Sequence, residues 1–445
     1  MRIARLSRVA AIASLAIVAV ACGGGTSTGT TTNKGTLAIG VDLPLSGEEG
    51  SQGTPTLNGV KYAVSGKTIQ GYTITVKSFD DVVNGAHDAQ KGAQNVQQML
   101  SDNSIVGMVG PFNSSVARAE IPIANAAHLT IISPANTNQC LTKDIYIPVA
   151  LGAAKDVTCK DAGLPSAKDL RPSGPNNYFR VATTDDLQGP ANADFLYNTL
   201  KMTKVAVSSD NEVYGKGIAD TFAARFKKLG GSVVGPRFDF DPKNTNDFRT
   251  FLQQAKSAGA QAVYFGGVTA NKGCVLRSQM SGIFPTGEAT PMLGGDGIAQ
   301  DSSCIKDAGT NAVGIYGTVA TANPDQTPTA KTAIDGFKKA YTNKADYGSY
   351  TIPAYDAAGV IMKAIDKVLT DNKGTWPTDV QKAREAVRLA IANIGSYSGA
   401  MGTFSFDPNG DTSAKVVAIY ESTSTDPTTD WAYKSAVDYA KTPLS

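Results

Sequence analysis

The chain alternates short runs of apolar, β-branched residues with amphipathic helical patterns over most of its length. The run from Leu37 to Val41 predicts a buried strand, and residues 72–79 alternate apolar and polar side chains with a period of two. Residues 87–100 repeat apolar side chains at helical spacing. Strands that alternate with helices predict a mainly parallel sheet covered by helices on both faces. The further elements predicted in this part are helices over residues 56–64 and 115–127 and strands over residues 105–109 and 129–132.

The same alternation restarts near Lys204 and continues to about Val319, which predicts a second α/β unit of similar layout. Two long helical patterns follow, over residues 352–369 and 378–394. The last two predicted strands, residues 401–406 and 415–420, are expected to pair across an intervening Pro-Asn-Gly turn.

The N-terminus has the pattern of an export signal. Arg2, Arg5 and Arg8 precede an apolar run over residues 9–21 that is too short to span a bilayer comfortably. The small residues before Cys22 resemble a bacterial lipobox, in which the cysteine carries a diacylglycerol. An ordinary secretory signal with an incidental Cys22 is the alternative. We therefore expect a signal peptide at residues 1–21 and a lipidated, flexible Gly- and Thr-rich tether at residues 22–35.

Composition narrows the classes of function. The 445 residues carry 41 basic and 39 acidic side chains, so the chain lacks the basic excess of a nucleic-acid-binding protein. Two histidines, His87 and His128, make histidine-based catalysis and histidine-rich metal sites poor hypotheses. Both are expected to be helix-terminal side chains, and no cofactor or metal is expected.

The cysteine count fits an exported protein. With Cys22 assigned to the lipid, four cysteines remain, and an even number favours disulfides over free thiols. Four cysteines allow three pairings. The sequential pairing closes the shortest loops and is the one we expect, namely Cys140 with Cys159 and Cys274 with Cys304. Zinc is the rival, but no CxxC motif or nearby histidine supports it.

The candidate ligand-binding residues lie in the loops that follow predicted strands, because open α/β sheets bind ligands at the carboxyl ends of their strands. Ser114 and Ser115 stand where a helix begins, so they either bind an anion with the free N–H groups or only cap the helix. The loop over residues 132–138 offers more hydroxyl and N–H donors after the next strand. Two such loops side by side could hold one small carboxylate.

The second unit has acidic and aromatic side chains that are expected to face these donor-rich loops. Residues 210–215 follow its first strand, and the glycine-rich loop Gly294 to Gly297 contains Asp296. A carboxylate opposite a cluster of donors suits a zwitterion, with Asp296 taking the ammonium. An Asx turn among glycines is the alternative interpretation of Asp296.

These features together resemble the leucine/isoleucine/valine-binding proteins, the amino-acid receptors of ABC importers. The resemblance runs from about residue 36 to residue 420 and is carried by the order and spacing of its motifs. The motifs are Pro44-Leu-Ser-Gly47, Asn58-Gly59, Phe79-Asp-Asp81, Gly110 with Ser114-Ser115, residues 132–138, Tyr214-Gly215, residues 264–267, Gly294-Gly-Asp296 and residues 406–411.

The resemblance implies a type I periplasmic-binding fold, a two-lobed α/β clamp whose chain crosses between the lobes three times. The crossings are expected near Ala182, Ala322 and Thr403. Lobe 1 would comprise residues 36–182 and 322–402, and lobe 2 residues 183–321 and 403–445.

The resemblance also implies a set of ligand contacts. Ser114 and Thr137 would bind the ligand carboxylate, and the Ala135 carbonyl and Asp296 would bind the ammonium. Aromatic residues Tyr214 and Tyr350 would close over the ligand, with Phe112 lining its side-chain pocket. The donor-rich loops add Asn113, Ser115 and Asn136 to the expected ligand-binding residues.

Departures from the family pattern leave the ligand open. Gln52 and Val268 stand where the leucine-type receptors place aromatic side chains, and both are expected in the side-chain pocket. Residues 139–177 are longer than the family usually has there and contain Cys140 and Cys159. They would form either a disulfide-pinned flap beside the cleft or a simple surface insertion.

The expected function is that of an extracytoplasmic solute receptor that carries a branched-chain or similar aliphatic amino acid to an ABC permease with cytoplasmic ATPases. It would be a monomer, held by its lipid on the outer face of the bacterial cytoplasmic membrane. Alternatives are the same fold binding an amide, urea-like or small carboxylate ligand, and a sensory ligand-binding protein. An enzyme is not expected, since no nucleophile–base pair or metal cluster stands out.

Overall fold

The structure, a computed structural model, describes residues 33–285 and 287–444. The predicted signal peptide, Cys22 and nearly all of the tether lie outside these residues. Two twisted sheets with flanking helices make up the described chain. Within it, no helix combines the length and the apolar character needed to span a lipid bilayer.

The first sheet has six strands and is parallel except at one edge. Its central strands are almost wholly buried, as expected when helices cover both faces of a parallel sheet. In spatial order the strands are Tyr178–Arg180, Ile131–Ser133, Ile105–Val109, Gly35–Leu43, Tyr72–Asp80 and Thr68–Ile69. The helices of this lobe are Gly50–Val64, Ala89–Leu100, Ser114–Ala126, Lys331–Ala340, Thr351–Asp371 and Val380–Ala392.

Close packing of two helices explains one glycine of this lobe. A Cβ atom on Gly59 would lie 2.0 Å from the carbonyl oxygen of Thr351, so only glycine lets Gly50–Val64 approach Thr351–Asp371. The helix Gly50–Val64 also runs through Pro55, whereas the sequence predicts a start at residue 56. The predicted start of this helix is therefore six residues too late.

The second sheet is parallel through its first five strands and ends in two antiparallel ones. In spatial order its strands are Ser232–Val233, Lys204–Ser209, Ala262–Gly266, Met292–Gly294, Ile315–Val319, Val416–Ser422 and Ala432–Asp438, with Phe238–Asp239 paired to Lys204–Ser209. The helices around it are Asp185–Asp194, Val213–Lys228, Arg249–Ser257, Gly273–Gln279 and Ser302–Ala308. A π-helical turn, Phe195–Thr199, extends the first of them.

The expected pairing of the last two predicted strands is wrong. Gly402–Phe404 pairs with Tyr397–Gly399 in a separate hairpin, while Val416–Ser422 joins the second sheet beside Ala432–Asp438. An isolated β-bridge between Phe406 and Thr412 spans the predicted turn. Two further small hairpins are Val82–Val83 with Ala86–His87 and Ile145–Ile147 with Val157–Thr158.

The chain passes from the first sheet to the second just after residue 180. The Val181 N–H donates to the Ser133 carbonyl of the first sheet, and the Thr183 N–H donates to the Ala320 carbonyl beside the second. Arg180 and Asp411 form a fully buried ion pair of 2.7 Å at the same place. The lobe boundaries given above stay a prediction.

The structure contains the sequential disulfide pairing, Cys140 with Cys159 and Cys274 with Cys304. The first of these lies in residues 139–177, which we call the bridging segment. Leu141 of this segment packs in the core of the first lobe. Its Tyr146 hydroxyl donates to Asp220 Oδ2 at 2.8 Å, on the helix Val213–Lys228 of the second lobe. The segment therefore contacts both lobes, and the choice between a flap and a surface insertion stays a prediction.

Candidate functional site

A narrow cavity of about 10 Å³, room for about one water molecule, lies between the two lobes, at the carboxyl ends of strands from both sheets. This is where open α/β sheets place their ligands. Its wall on the first lobe is formed by Phe112, Asn113, Ser114, Ala135 and Thr137, and its wall on the second lobe by Tyr214, Val268, Asp296 and Gly297.

The first part of the wall is the turn between the strand Ile105–Val109 and the helix Ser114–Ala126. Gly110 begins this turn with a φ of +123°, and a Cβ atom there would lie 2.2 Å from the Asp42 carbonyl. Asn113 is the N-cap of the helix, so the prediction that Ser114 or Ser115 caps it is wrong. Ser114 is the first helical residue, and its free N–H group and those beside it favour an anion.

The second part of the wall is the loop after the strand Ile131–Ser133. Ser133 Oγ accepts from the N–H groups of Ala135 and Asn136 and donates to the Pro111 carbonyl at 2.7 Å. Arg180 donates to the Asn138 carbonyl at 2.7 Å while it is paired with Asp411. These bonds fix the loop that presents Ala135 and Thr137 to the cavity.

Asp296 dominates the wall of the second lobe. Its Oδ1 accepts from the Tyr214 hydroxyl at 2.8 Å and from Gln188 Nε2 at 2.9 Å. Its Oδ2 accepts from the Tyr350 hydroxyl at 2.6 Å. Burial raises the pKa of Asp296 above its usual value, and these three hydrogen bonds partly offset that effect. All three donors are neutral, and no described Lys, Arg or His forms an ion pair with Asp296.

A glycine lets Tyr214 reach Asp296. The loop that follows the strand Met292–Gly294 contains Gly295, where a Cβ atom would lie 2.1 Å from the Tyr214 hydroxyl oxygen. A larger residue at this position would displace the tyrosine and break its bond to Asp296.

The two lobes touch directly around the cavity. Tyr350 comes from the first lobe, where it stacks edge-on with Phe112 at a centroid distance of 5.5 Å. Asn138 Nδ2 donates to the Val213 carbonyl at 2.8 Å, and the Ser51 hydroxyl donates to Asp301 Oδ1 at 2.8 Å. The arrangement is therefore a closed one, in which the two lobes hydrogen-bond each other beside the cavity.

The structure brings most of the predicted residues to this cavity, eight of them in its wall and Tyr350 directly behind Asp296. Gln52 lies at the rim, with its Nε2 atom 3.5 Å from the Gly297 carbonyl. Ser115 is outside the wall. Asn136 is also outside, because its amide donates to the Phe112 carbonyl and accepts from the Tyr178 hydroxyl. It holds the two loops together.

Two residues of the helix Asp185–Asp194 belong to the site but were missed by the sequence reasoning. Gln188 bonds Asp296 and also the Thr318 carbonyl. Asp185 is fully buried, and its N–H donates to the Thr137 carbonyl. Burial, reinforced by the charge of Asp296, raises the pKa of the Asp185 carboxyl well above its usual value. The signal that could have indicated these two residues is the set of polar side chains just after the first expected crossing.

His87 is not a helix-terminal residue as expected. It lies in the short strand Ala86–His87, and Asp88 caps the following helix instead. Its backbone N–H and its Nδ1 each lie 2.8 Å from Glu49 Oε2. Glu49 and then Asp81 outweigh the effect of burial and raise the pKa of His87 to about 9. The pair is buried beside Asn113, so it forms part of the support of the cavity wall.

His128 follows the helix Ser114–Ala126, as expected, and pairs with Glu385 at 3.2 Å.

A protein-family profile described as "Periplasmic binding protein" matches residues 36–426. The Leu/Ile/Val-binding protein homolog 3 of Brucella melitensis is 28% identical over 392 residues, which cover 86% of this chain and 91% of that one. Among solved structures, the leucine binding protein LivK of Thermotoga maritima aligns with a TM-score of 0.70 at 22% identity, over 90% of this chain and 99% of that one. A solute binding protein of an ABC transporter from Rhodopseudomonas palustris, in complex with p-hydroxybenzoic acid, aligns with a TM-score of 0.69 at 17% identity, over 91% and 97%. The expected two-lobed α/β fold is confirmed.

Proposed function

Because the chain belongs to the periplasmic binding protein family, we propose that it is the solute-binding component of an ABC importer and binds a small amino acid between its lobes. The chain would deliver this ligand to a membrane permease served by cytoplasmic ATPases. Relatives named as Leu/Ile/Val-binding proteins support this assignment.

One observation carries the choice of an amino acid. The Asp296 carboxylate lies in a cavity wall with three neutral donors and no cation among the described residues, opposite the N-terminus of the helix Ser114–Ala126. A buried carboxylate without a cation is costly, and a ligand ammonium would relieve that cost. The helix N-terminus offers the complementary site for the ligand carboxylate. A zwitterion satisfies both walls at once.

In the proposed complex, Ser114 and Thr137 donate to the ligand carboxylate, while Asp296 and the Ala135 carbonyl accept from the ammonium. Each charge-assisted hydrogen bond contributes about 1.5–3 kcal/mol. Tyr214 and Tyr350 hold Asp296 and close over the ligand, and Phe112 and Val268 contact its side chain. Gln52 would contact that side chain from the rim.

Binding would act through the equilibrium between open and closed lobes. The ligand contacts both walls only when the lobes are closed, so its binding favours the closed form. The permease would then recognise that form. The assignment requires no chemical step, and we propose that the protein acts as a monomer that binds its ligand without catalysis.

Attachment to the membrane is a further part of the proposal. Cys22 would carry the lipid and hold the protein on the outer face of the cytoplasmic membrane. The lipobox-like residues before Cys22 support this, and they lie outside the described residues. The described chain begins on the first lobe, where Lys34 Nζ donates to the Gly374 carbonyl at 2.8 Å.

A thermal-shift panel on the mature chain tests the assignment, because ligand stabilisation grows with the ratio of ligand concentration to Kd. The panel contains the common amino acids, benzoate, 4-hydroxybenzoate, urea and short amides. We expect the largest shift with a small α-amino acid. A shift with benzoates or amides and none with any amino acid would overturn the proposal.

A further inference from the structure

Asn113 stands out among the residues of the cavity wall because half of its side-chain amide has no partner. Its Nδ2 atom donates to Glu49 Oε1 at 2.9 Å. Its Oδ1 atom is buried and accepts no hydrogen bond within the described structure. Asn113 is only 5% exposed and lines the cavity. A buried amide oxygen of this kind costs free energy until a donor reaches it.

The neighbouring ion pair fixes which end of the amide is free. Glu49 Oε2 accepts from both the backbone N–H and the Nδ1 of His87. His87, and to a lesser degree Asn113, offset the effect of burial and hold the pKa of Glu49 below its usual value. An ionised carboxylate can only accept, so it must face the NH₂ end of Asn113. The Oδ1 atom is therefore held as an acceptor and cannot exchange places with Nδ2.

No described side chain donates to this acceptor, and this includes the Ser114 and Thr137 hydroxyls of the same wall. Phe112 and Val268 are apolar. Gln52, at the rim, directs its Nε2 atom to the Gly297 carbonyl on the far side. The missing donor must therefore come from whatever occupies the cavity.

We propose that Asn113 is a specificity-determining residue, which accepts a hydrogen bond from a hydroxyl or amide on the side chain of the bound amino acid. This inference rests on the proposed function and names its substrate class. The site would favour a small amino acid with a polar side chain over an aliphatic one of the same shape. A site built to bond a polar group discriminates strongly against the analogue that lacks it, because its own polar atom is then left unpaired.

Two pairs of nearly isosteric ligands test the proposal by isothermal titration calorimetry, namely threonine against valine and asparagine against leucine. In the wild-type protein we expect at least one polar member to bind more tightly than its aliphatic partner by about tenfold or more. Asn113→Leu, similar in size but without the acceptor, should remove or reverse that preference. Asn393→Leu, an exposed asparagine at the end of the helix Val380–Ala392, is the matched control and should keep it.

A second variant tests the same proposal if Asn113→Leu does not fold. Glu49→Gln can donate as well as accept, so it no longer dictates the orientation of the Asn113 amide, and the preference should shrink. If amino acids bind but neither polar ligand exceeds its aliphatic partner in the wild type, the inference is overturned and the proposed function stands. An unchanged preference in Asn113→Leu or Glu49→Gln overturns it as well, since a water molecule or another group then satisfies Oδ1. If no amino acid binds at all, the proposed function itself fails.

Discussion

The Tyr350 hydroxyl of the first lobe donates to Asp296 Oδ2 of the second lobe at 2.6 Å, directly behind the cavity. The same hydroxyl accepts from the Ala320 N–H at 3.3 Å, at a crossing between the lobes. One hydroxyl of the first lobe thus bonds both Asp296 and the backbone at Ala320. In this closed arrangement Asp296 therefore has hydrogen-bond donors from both lobes.

Tyr350→Phe should weaken the closed form. The substitution keeps the ring contact with Phe112 but leaves Asp296 without one of its donors, at a cost of about 1–3 kcal/mol. We expect ligand affinity to fall about fivefold to a hundredfold, mainly through faster dissociation, in stopped-flow measurements. Tyr355→Phe on the same helix is the control, since no hydrogen bond of its hydroxyl occurs in the described structure. Equal dissociation rates in the two variants would contradict the role given to Tyr350.

Loss of the charge on His87 should reduce stability at alkaline pH. Its pKa is about 9 in the folded protein and about 6.5 in the unfolded chain, so the stabilisation is fully present below pH 6.5. It is lost as the pH rises through 9, by on the order of 3 kcal/mol. We expect the melting temperature of the wild type to fall between pH 7 and pH 10. His87→Gln should show a flatter profile in that range.

The other histidine provides the control for this profile. His128 pairs with Glu385 at the surface, where its side chain is 34% exposed, and an exposed pair contributes little to stability. His128→Gln should therefore keep the wild-type slope. A wild-type slope in His87→Gln would show that the buried pair with Glu49 does not contribute as described.

The bridging segment should slow the opening of the lobes. Tyr146 is anchored in residues 139–177 and bonds Asp220 on the helix that carries Tyr214. Tyr146→Phe removes that bond at a cost of about 1 kcal/mol, so ligand dissociation should be faster by about fivefold. Tyr433→Phe, an exposed tyrosine on the last strand, should release ligand at the wild-type rate. No change with Tyr146→Phe would mean that the contact does not restrain opening.

Cys22→Ser should abolish attachment to the membrane. Without the thiol no diacylglycerol can be attached, and the tether alone has no apolar residue to hold the protein at a bilayer. We expect the variant in the soluble fraction and without incorporated radiolabelled fatty acid. Ser27→Ala, in the same tether, is the control and should remain labelled. Membrane retention of Cys22→Ser would favour an ordinary secretory signal and another route to the surface.

The alternation of apolar strands and helices predicts the fold well because buried parallel strands such as Ile105–Val109 form continuous apolar runs. Ala432–Asp438 was missed because it is an edge strand without a buried residue, and Lys434 and Ser435 interrupt its apolar positions. The small hairpins at residues 82–87 and 397–404 are too short for a period to be seen. Tertiary contacts determine which strands pair in these hairpins.

Polar residues in the loops that follow predicted strands could be identified from the sequence, and they include Ser114, Thr137 and Asp296. Gln188 was missed because a glutamine inside a helix carries no signal until the helix is placed against the loop of Asp296. Glu49 and His87 were missed for a similar reason, since they are 38 residues apart and meet only in the folded chain. Long-range polar pairs of this kind cannot be found from local patterns.

Isothermal titration calorimetry of Asp296→Asn, with the amino acid that binds the wild type most tightly, tests whether Asp296 binds the ligand ammonium. The substitution keeps the shape and an acceptor for one of the two tyrosines but removes the charge that would pair with the ammonium. We expect Kd to rise by about a hundredfold or more, as for other buried charge pairs that lose one partner. Asp325→Asn, exposed and paired with Lys338, is the control and should bind like the wild type. A Kd for Asp296→Asn within about twofold of the wild-type value would show that Asp296 does not pair with the ligand ammonium.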